Sequence, residues 1–459
     1  MYYYYLLAMA YCIALRVPYS KLDLGLTDSL KGHERMIKVQ MYSLGLVFRM
    51  WGKPHYRSPS LQQDLLNNLK NVAIPGTGIP LSYFCYNYYL CLILVVLINP
   101  IVSLFGAMNK ARSLIQNGAP FPSIREFSIT GIINTVSSID VVSVTRFLQL
   151  TEEYYGEALL YPTDWFSLWQ LNCRLVSYHS STTKSKSYRM EDKWTFLVEG
   201  QELGVPVSPF LQIEDIVCKN KNIEGGLGIH FYKNALHGGD WIIQEKIKNA
   251  QWLNHLLPLN SPLSTMRIIT CSDLGISTNE LQADGNDQYI SQHIKAMSSV
   301  LRLGRAGALT DHSSVLFDVD ITTGLIKGGK SNSHWYKLGL NNITDCPWLP
   351  VKVGCVHPDA PHPQIQGETV PGIQEAVDIV LKSHYKMMPD VPIVGWDVAF
   401  TPGGICLLEV NLSCNFFKGT FDVPYYYCLV DEYFQDLEEV DKGSAQTSGS
   451  AENNAKKSN

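Results

Sequence analysis

Three oxygen-bearing side chains, Asp397, Glu409 and Asn411, stand in a stretch that reads as one hairpin. It runs from Gly395-Trp396-Asp397 through Thr401-Pro402-Gly403-Gly404 into Leu407-Leu408-Glu409-Val410-Asn411. Two carboxylates and an amide oxygen are hard ligands, suited to a Mg²⁺ ion that keeps some waters and takes its other oxygens from phosphates. Side chains of a strand alternate, so Glu409 and Asn411 point the same way. If Pro402, Gly403 and Gly404 form a three-residue connection, Asp397 lies across from Glu409 and the three side chains share a face. A two-residue Gly403-Gly404 turn would shift the register by one and turn Asp397 away. The same hairpin also fits a surface turn whose acids face only water, so the metal reading needs support from elsewhere in the chain.

That support comes from the elements upstream. Glu191-Asp192-Lys193-Trp194-Thr195-Phe196 opens a helix that ends near Leu203-Gly204-Val205-Pro206, and Ile216-Val217-Cys218-Lys219 reads as a strand. Gly225, Gly226 and Gly228 follow as a mobile loop whose bare amides can cover phosphates, with Lys193 and Lys219 supplying positive charge on either side. A glycine-rich turn beside solvated lysines is the blander alternative for each of these taken singly. The next strand, Trp241-Ile242-Ile243-Gln244-Glu245-Lys246-Ile247, suits a sheet edge whose main chain reads a purine. Pro371-Gly372 precedes an amphipathic helix with Ile373, Ala376, Val377, Val380 and Leu381 on one stripe, placed to buttress the hairpin's sheet.

Taken in order, these pieces resemble the ATP-grasp superfamily, most closely its sugar-transfer associated branch, which is related to the α-L-glutamate ligase-like proteins. The resemblance covers roughly residues 164–436. Gly-Trp-Asp-Val-Ala-Phe-Thr-Pro-Gly-Gly with Leu-Leu-Glu-Val-Asn is its most specific part, and Leu263-Ser264-Thr265-Met266-Arg267-Ile268-Ile269-Thr270 is the next. It implies an α+β chain with the ATP-grasp fold, two α/β subdomains clasping ATP. It implies Asp397, Glu409 and Asn411 as Mg²⁺ ligands, and Lys193, Lys219 and the lid glycines 225, 226 and 228 as phosphate contacts. Gln244, Glu245, Lys246 and Ile247 become the adenine hinge, and Arg267 becomes the catalytic arginine facing the transferring phosphate. Its fork of donors suits spread negative charge. The lid departs from the family pattern: Asn220 stands where a proline commonly follows the strand lysine, and Lys221, Asn222 and Glu224 make the loop unusually polar.

The implied chemistry is ligation. A substrate carboxylate attacks the γ-phosphate of ATP, and an amine or similar nucleophile then attacks the acyl phosphate. Such transfer depends on alignment and charge neutralisation, so the chain needs no nucleophilic Ser or Cys. A glycan- or amino-acid-linked substrate follows from the branch alone. His334 and His357 lie where an acceptor would bind, and each is equally readable as a structural histidine. A nucleotide sensor or scaffold without turnover and an ATP-dependent phosphotransferase are the competing readings.

The rest of the 459 residues frames this unit. A net charge of -5 and no basic stripe interleaved with aromatics argue against a nucleic-acid surface. Eleven cysteines without a CxxC pair read as reduced thiols. Residues 71–109 carry no charge and 89–98 are continuously apolar, so 81–107 is expected to cross a membrane once, although the Asn99-Pro100 interruption equally fits a buried hairpin of helices. Lys110, Arg112 and Arg125 after it, against Lys70 before, put the catalytic part on the cytoplasmic side. Residues 1–17 are also apolar but lack the marks of a signal peptide. The expected layout is a hydrophobic region 1–115, a helical connection 116–185, the ATP-grasp domain 186–440 and a disordered tail 441–459. Trp165, Phe166, Leu168, Trp169 and Leu171 read as the core stripe of a helix in the connection.

Overall fold

The computed structural model describes residues 31–70, 80, 82–93, 165–219, 221–222, 229–276, 281–282, 285–311, 314–331, 357, 359–360, 365–413 and 421–455. Over these the chain is mixed α+β with antiparallel sheets. In chain order the helices are α1 (Lys31–Arg49), α2 (Leu61–Leu69), α3 (Ser82–Cys85), α4 (Tyr88–Ile93), α5 (Trp165–Thr183), α6 (Lys193–Glu202), α7 (Asp287–His293), α8 (Ile373–Met387) and α9 (Val423–Ala455). Two compact units divide the chain. One joins Met1–Lys184 with Ser333–Val353 and Asp422–Asn459, and the other joins Ser185–Asn332 with Gly354–Phe421.

In the first unit α1, α5 and α9 pack together through deeply buried Val39, Leu46, Leu171, Leu175, Val430 and Phe434. Several polar groups that enter this core find partners there, as burial demands. Arg174 Nη1 donates to Ser43 Oγ at 2.9 Å and Gln40 Nε2 to Tyr427 OH at 2.6 Å. Asp431 meets both Arg35 and Lys38 at 3.5 Å. The backbone of α9 continues to Ala455, across most of the segment where composition leads to a disordered tail. Adding a residue to an existing helix is far easier than nucleating one, so a helix anchored at Val430 and Phe434 can run on. The stretch expected to span a membrane, 81–107, enters the described residues only at 82–93. There the chain makes two short helices, α3 and α4, interrupted at Tyr86 and Asn87, where Asn87 Oδ1 accepts from Tyr89 N at 2.7 Å. Among the described residues no helix is long and apolar enough to cross a membrane.

The second unit is built on a six-stranded antiparallel sheet in the order β6-β5-β4-β3-β7-β8. Its strands are β3 (Thr265–Ser272), β4 (Ile294–Leu303), β5 (Val315–Val319), β6 (Ile326–Ser331), β7 (Ile393–Thr401) and β8 (Gly404–Asn411). A separate hairpin pairs β1 (Asp215–Lys219) with β2 (Ile229–Lys233). Helix α8 lies on β3, β4 and β7, burying Ile373, Ala376, Val377 and Val380 of the stripe its sequence marks, with Leu381 half-buried and Met387 buried beyond it. Beneath it, Trp396 Nε1 donates to Thr270 Oγ1 at 2.8 Å, Thr270 Oγ1 meets His384 Nδ1 at 2.8 Å, and His384 Nε2 donates to Val391 O at 3.0 Å. Each polar atom of that buried chain is satisfied, which fixes the face of β7 that α8 covers and so the face left for Asp397.

Candidate functional site

The register of three strands builds the site. Arg267 on β3 pairs across to Asp397 on β7, and Asp397 pairs across to Glu409 on β8. Residues directly opposite share a face, so these three line up on the side of the sheet away from Trp396 and α8. Asn411, two residues beyond Glu409, joins the same side opposite Gly395.

The turn differs from the expectation while the register at the site does not. A three-residue connection Pro402–Gly404 would pair Thr401 with Ile405; the strands instead close at Thr401↔Gly404 around a two-residue Pro402-Gly403 turn. Thr401 Oγ1 organises it by donating to Gly404 O at 2.7 Å and accepting from Gly403 N at 3.1 Å. Gly404 has φ 114, open to glycine alone. That register by itself would move Asp397 off Glu409, and a bulge at Leu408 restores it: Val398 pairs with Leu407, but Asp397 with Glu409. An extra residue re-aims the side chains beyond it, and such bulges recur beside functional sites.

On this face the charges are paired. Arg267 Nε meets Asp397 Oδ1 at 2.5 Å and Arg302 Nη1 meets Asp397 Oδ2 at 3.2 Å. Arg302 also approaches Asp311 at 3.6 Å, and Asp311 accepts from the Thr265 hydroxyl. Burial would raise the Asp397 carboxyl, and the two guanidiniums outweigh it and hold it below the usual carboxylate range. Lys193, the first residue of α6, places Nζ 2.8 Å from Glu409 Oε2. That helix begins at Lys193, two residues after the Glu191 expected to open it, because the Asp192 carboxylate caps Thr195 N at 2.8 Å.

Of the residues singled out in the sequence, Lys193, Arg267, Asp397, Glu409 and Asn411 are thus brought together. Gln244 pairs with Phe210 in an isolated bridge, and Gln244 Nε2 donates to Ser208 Oγ at 2.5 Å. Residues 241–247 do not form the expected strand. Ala235 N to Trp241 O, Leu211 N to Ile243 O and Glu245 N to Pro209 O tie the segment down, and Pro209 in the facing stretch has no N–H to extend a ladder. Among the described residues the main-chain groups of Lys246 and Ile247 have no backbone partner. Lys219 ends β1 with an exposed side chain. Gly225, Gly226, Gly228 and His334 lie outside the described residues. His357 is fully buried, with Nε2 donating to Gly304 O at 3.2 Å and Nδ1 accepting from Asp359 N at 3.2 Å. Both ring nitrogens of His357 are engaged within the protein.

Arg302, Asp311 and Thr265 were not singled out from the sequence. A signal existed for Arg302: it is the lone arginine of the apolar run Ser298-Ser299-Val300-Leu301-Arg302-Leu303, and a strand buried on both faces admits a guanidinium only beside a carboxylate. Nothing local marks Asp311, whose partners come from two different strands.

Whether these residues suit a hard divalent cation can be judged from their partners. Among the described residues no three His, Cys, Asp or Glu side chains converge as a metal-binding group; the expected trio has two carboxylates and an amide. Glu409 has Lys193 as its ion-pair partner on one oxygen. The Asn411 amide nitrogen is buried without a hydrogen-bond partner, an orphaned polar group beside that carboxylate. The orphaned Asn411 N–H2 is a donor that calls for an acceptor, and it is the Asn411 amide oxygen with the Glu409 carboxylate that fits a cation preferring oxygen; both oxygens of Asp397 are already engaged by arginines. No protein-family model matches the chain, and no curated protein matches it.

Proposed function

We propose that the second unit is an ATP-grasp catalytic unit, and that the protein is an ATP- and Mg²⁺-dependent ligase joining a carboxylate to an amine or similar acceptor through an acyl phosphate. The observation that carries the reading is the single polar face on which Lys193, Arg267, Asp397, Glu409 and Asn411 meet. Glu409 and Asn411 would hold the cation, with Asp397 beside them. When bound, Mg²⁺ neutralises and orients the triphosphate. Lys193 binds a phosphate from the mouth of the site, and Arg267, anchored by Asp397, holds its guanidinium toward the charge that spreads over the transferring group. The unpartnered main chain at Lys246 and Ile247 supplies a donor and an acceptor for an adenine edge. The uncharged stretch 71–109 supports attachment of this unit to a membrane, on the cytoplasmic side where ATP is available.

The test is Mg²⁺-dependent ADP release by the full-length protein on mixed carboxylates and amines, with Glu409→Ala as control. Release that requires a carboxylate and yields an acylated amine supports the ligase. A phosphorylated acceptor in place of an acyl product would identify a phosphotransferase, and nucleotide binding without turnover a sensor. Absence of any nucleotide binding would overturn the site.

A further inference from the structure

The polar face is balanced in charge: Lys193, Arg267 and Arg302 meet Asp311, Asp397 and Glu409 in neighbouring ion pairs. Those pairs differ in how readily they can open. The Arg267, Asp397, Arg302 and Asp311 side chains are 7%, 9%, 17% and 21% exposed, whereas Glu409 is 29% and Lys193 67% exposed. Water can replace either partner of the Lys193–Glu409 pair, while the arginine pairs are desolvated and fixed. Lys193 also stands at the first position of α6, where a cation opposes the helix dipole, so its ammonium always gains from an anion alongside.

Resting on the nucleotide-and-cation reading of this face, we infer that Lys193 and Glu409 form an exchange pair, so that the site takes a metal-chelated polyphosphate in preference to either ion alone. A divalent cation arriving by itself meets a carboxylate already neutralised by an ammonium 2.8 Å away. A polyphosphate arriving by itself meets a lysine already held by a carboxylate, with that carboxylate's charge left facing the phosphates. Arriving together, the cation takes Glu409, the phosphates take Lys193, and no charge is left opposed. The coupling is reciprocal by thermodynamic necessity. An ion pair this exposed resists each lone ion by about 2- to 5-fold.

The experiment uses the full-length protein and two lone probes. Mn²⁺ without nucleotide is titrated by the electron paramagnetic resonance of the free ion, and inorganic triphosphate in excess chelator is titrated by calorimetry. Lys193→Met is expected to tighten Mn²⁺ by about 2- to 5-fold while weakening triphosphate, and Glu409→Gln to do the reverse. Both expected effects include a gain, which a misfolded variant cannot produce. Mn²⁺ binding that is unchanged or weaker in Lys193→Met, with wild-type Mg²⁺–ATP binding intact, overturns the exchange pair and leaves the proposed function standing. A wild-type protein that binds neither Mn²⁺ nor Mg²⁺–ATP overturns both.

Discussion

Acidification should weaken the second unit through one histidine. His384 lies fully buried under the sheet, where desolvation outweighs the pull of Asp390 and its backbone acceptors and takes its pKa from 6.5 down to about 4. Its ring is held neutral, with Nε2 donating to Val391 O and Nδ1 facing the Thr270 hydroxyl that also takes the Trp396 N–H. Because the folded pKa lies below the unfolded one, the unfolded chain binds the extra proton. The stabilising contribution is therefore present above pH 6.5 and is lost as pH falls toward 4. At 1.36 kcal/mol per pKa unit the full loss is about 3 kcal/mol, and about 2 kcal/mol has gone by pH 5. The assay is urea unfolding between pH 7.5 and pH 5, on the order of five points, followed by pulsed hydrogen exchange in peptides of β3 and β7. His384→Gln should lower stability at neutral pH and flatten the pH slope of those peptides. Equal slopes in the two proteins, or a wild type that gains stability toward acid, would refute the reasoning.

Three further outcomes are expected. Asn411→Leu removes a buried amide nitrogen that has no partner, so urea stability should hold or rise by up to about 1 kcal/mol while Mn²⁺ affinity falls, separating fold from binding. Arg302→Met leaves Asp397 buried with one guanidinium and should cost about 3–5 kcal/mol in urea unfolding, with Arg302→Lys recovering part of it. Gly404→Ala forces a Cβ onto a φ of 114 and should cost about 1–3 kcal/mol, with slippage at Asp397–Glu409 visible as faster amide exchange in β8.

What could be read from the sequence was local. Alternation put Glu409 and Asn411 on one face whatever the turn did, and the stretch from Glu191 to Phe196 read as a helix opening from near neighbours alone. The stripe of α8 followed from its spacing in the same way. The register across from Asp397 was expected for a reason that the structure replaces: a shorter turn and a bulge at Leu408 add up to the same pairing, a cancellation that no local pattern of glycines and prolines encodes. Tertiary structure alone decided the pairings among distant charges. Asp311 has no meaning until β3 and β4 bring Thr265 and Arg302 to it, and Lys193 reads as a solvated lysine until α6 sets it against β8. Likewise, α9 groups with α1 and α5 because its apolar side needs a partner, and helix periodicity says that a face must be buried without saying against what. The sequence thus determined which groups face the same way along one element, since covalent geometry dictates it. Which charges become neighbours across elements was settled only by the packing of the whole sheet.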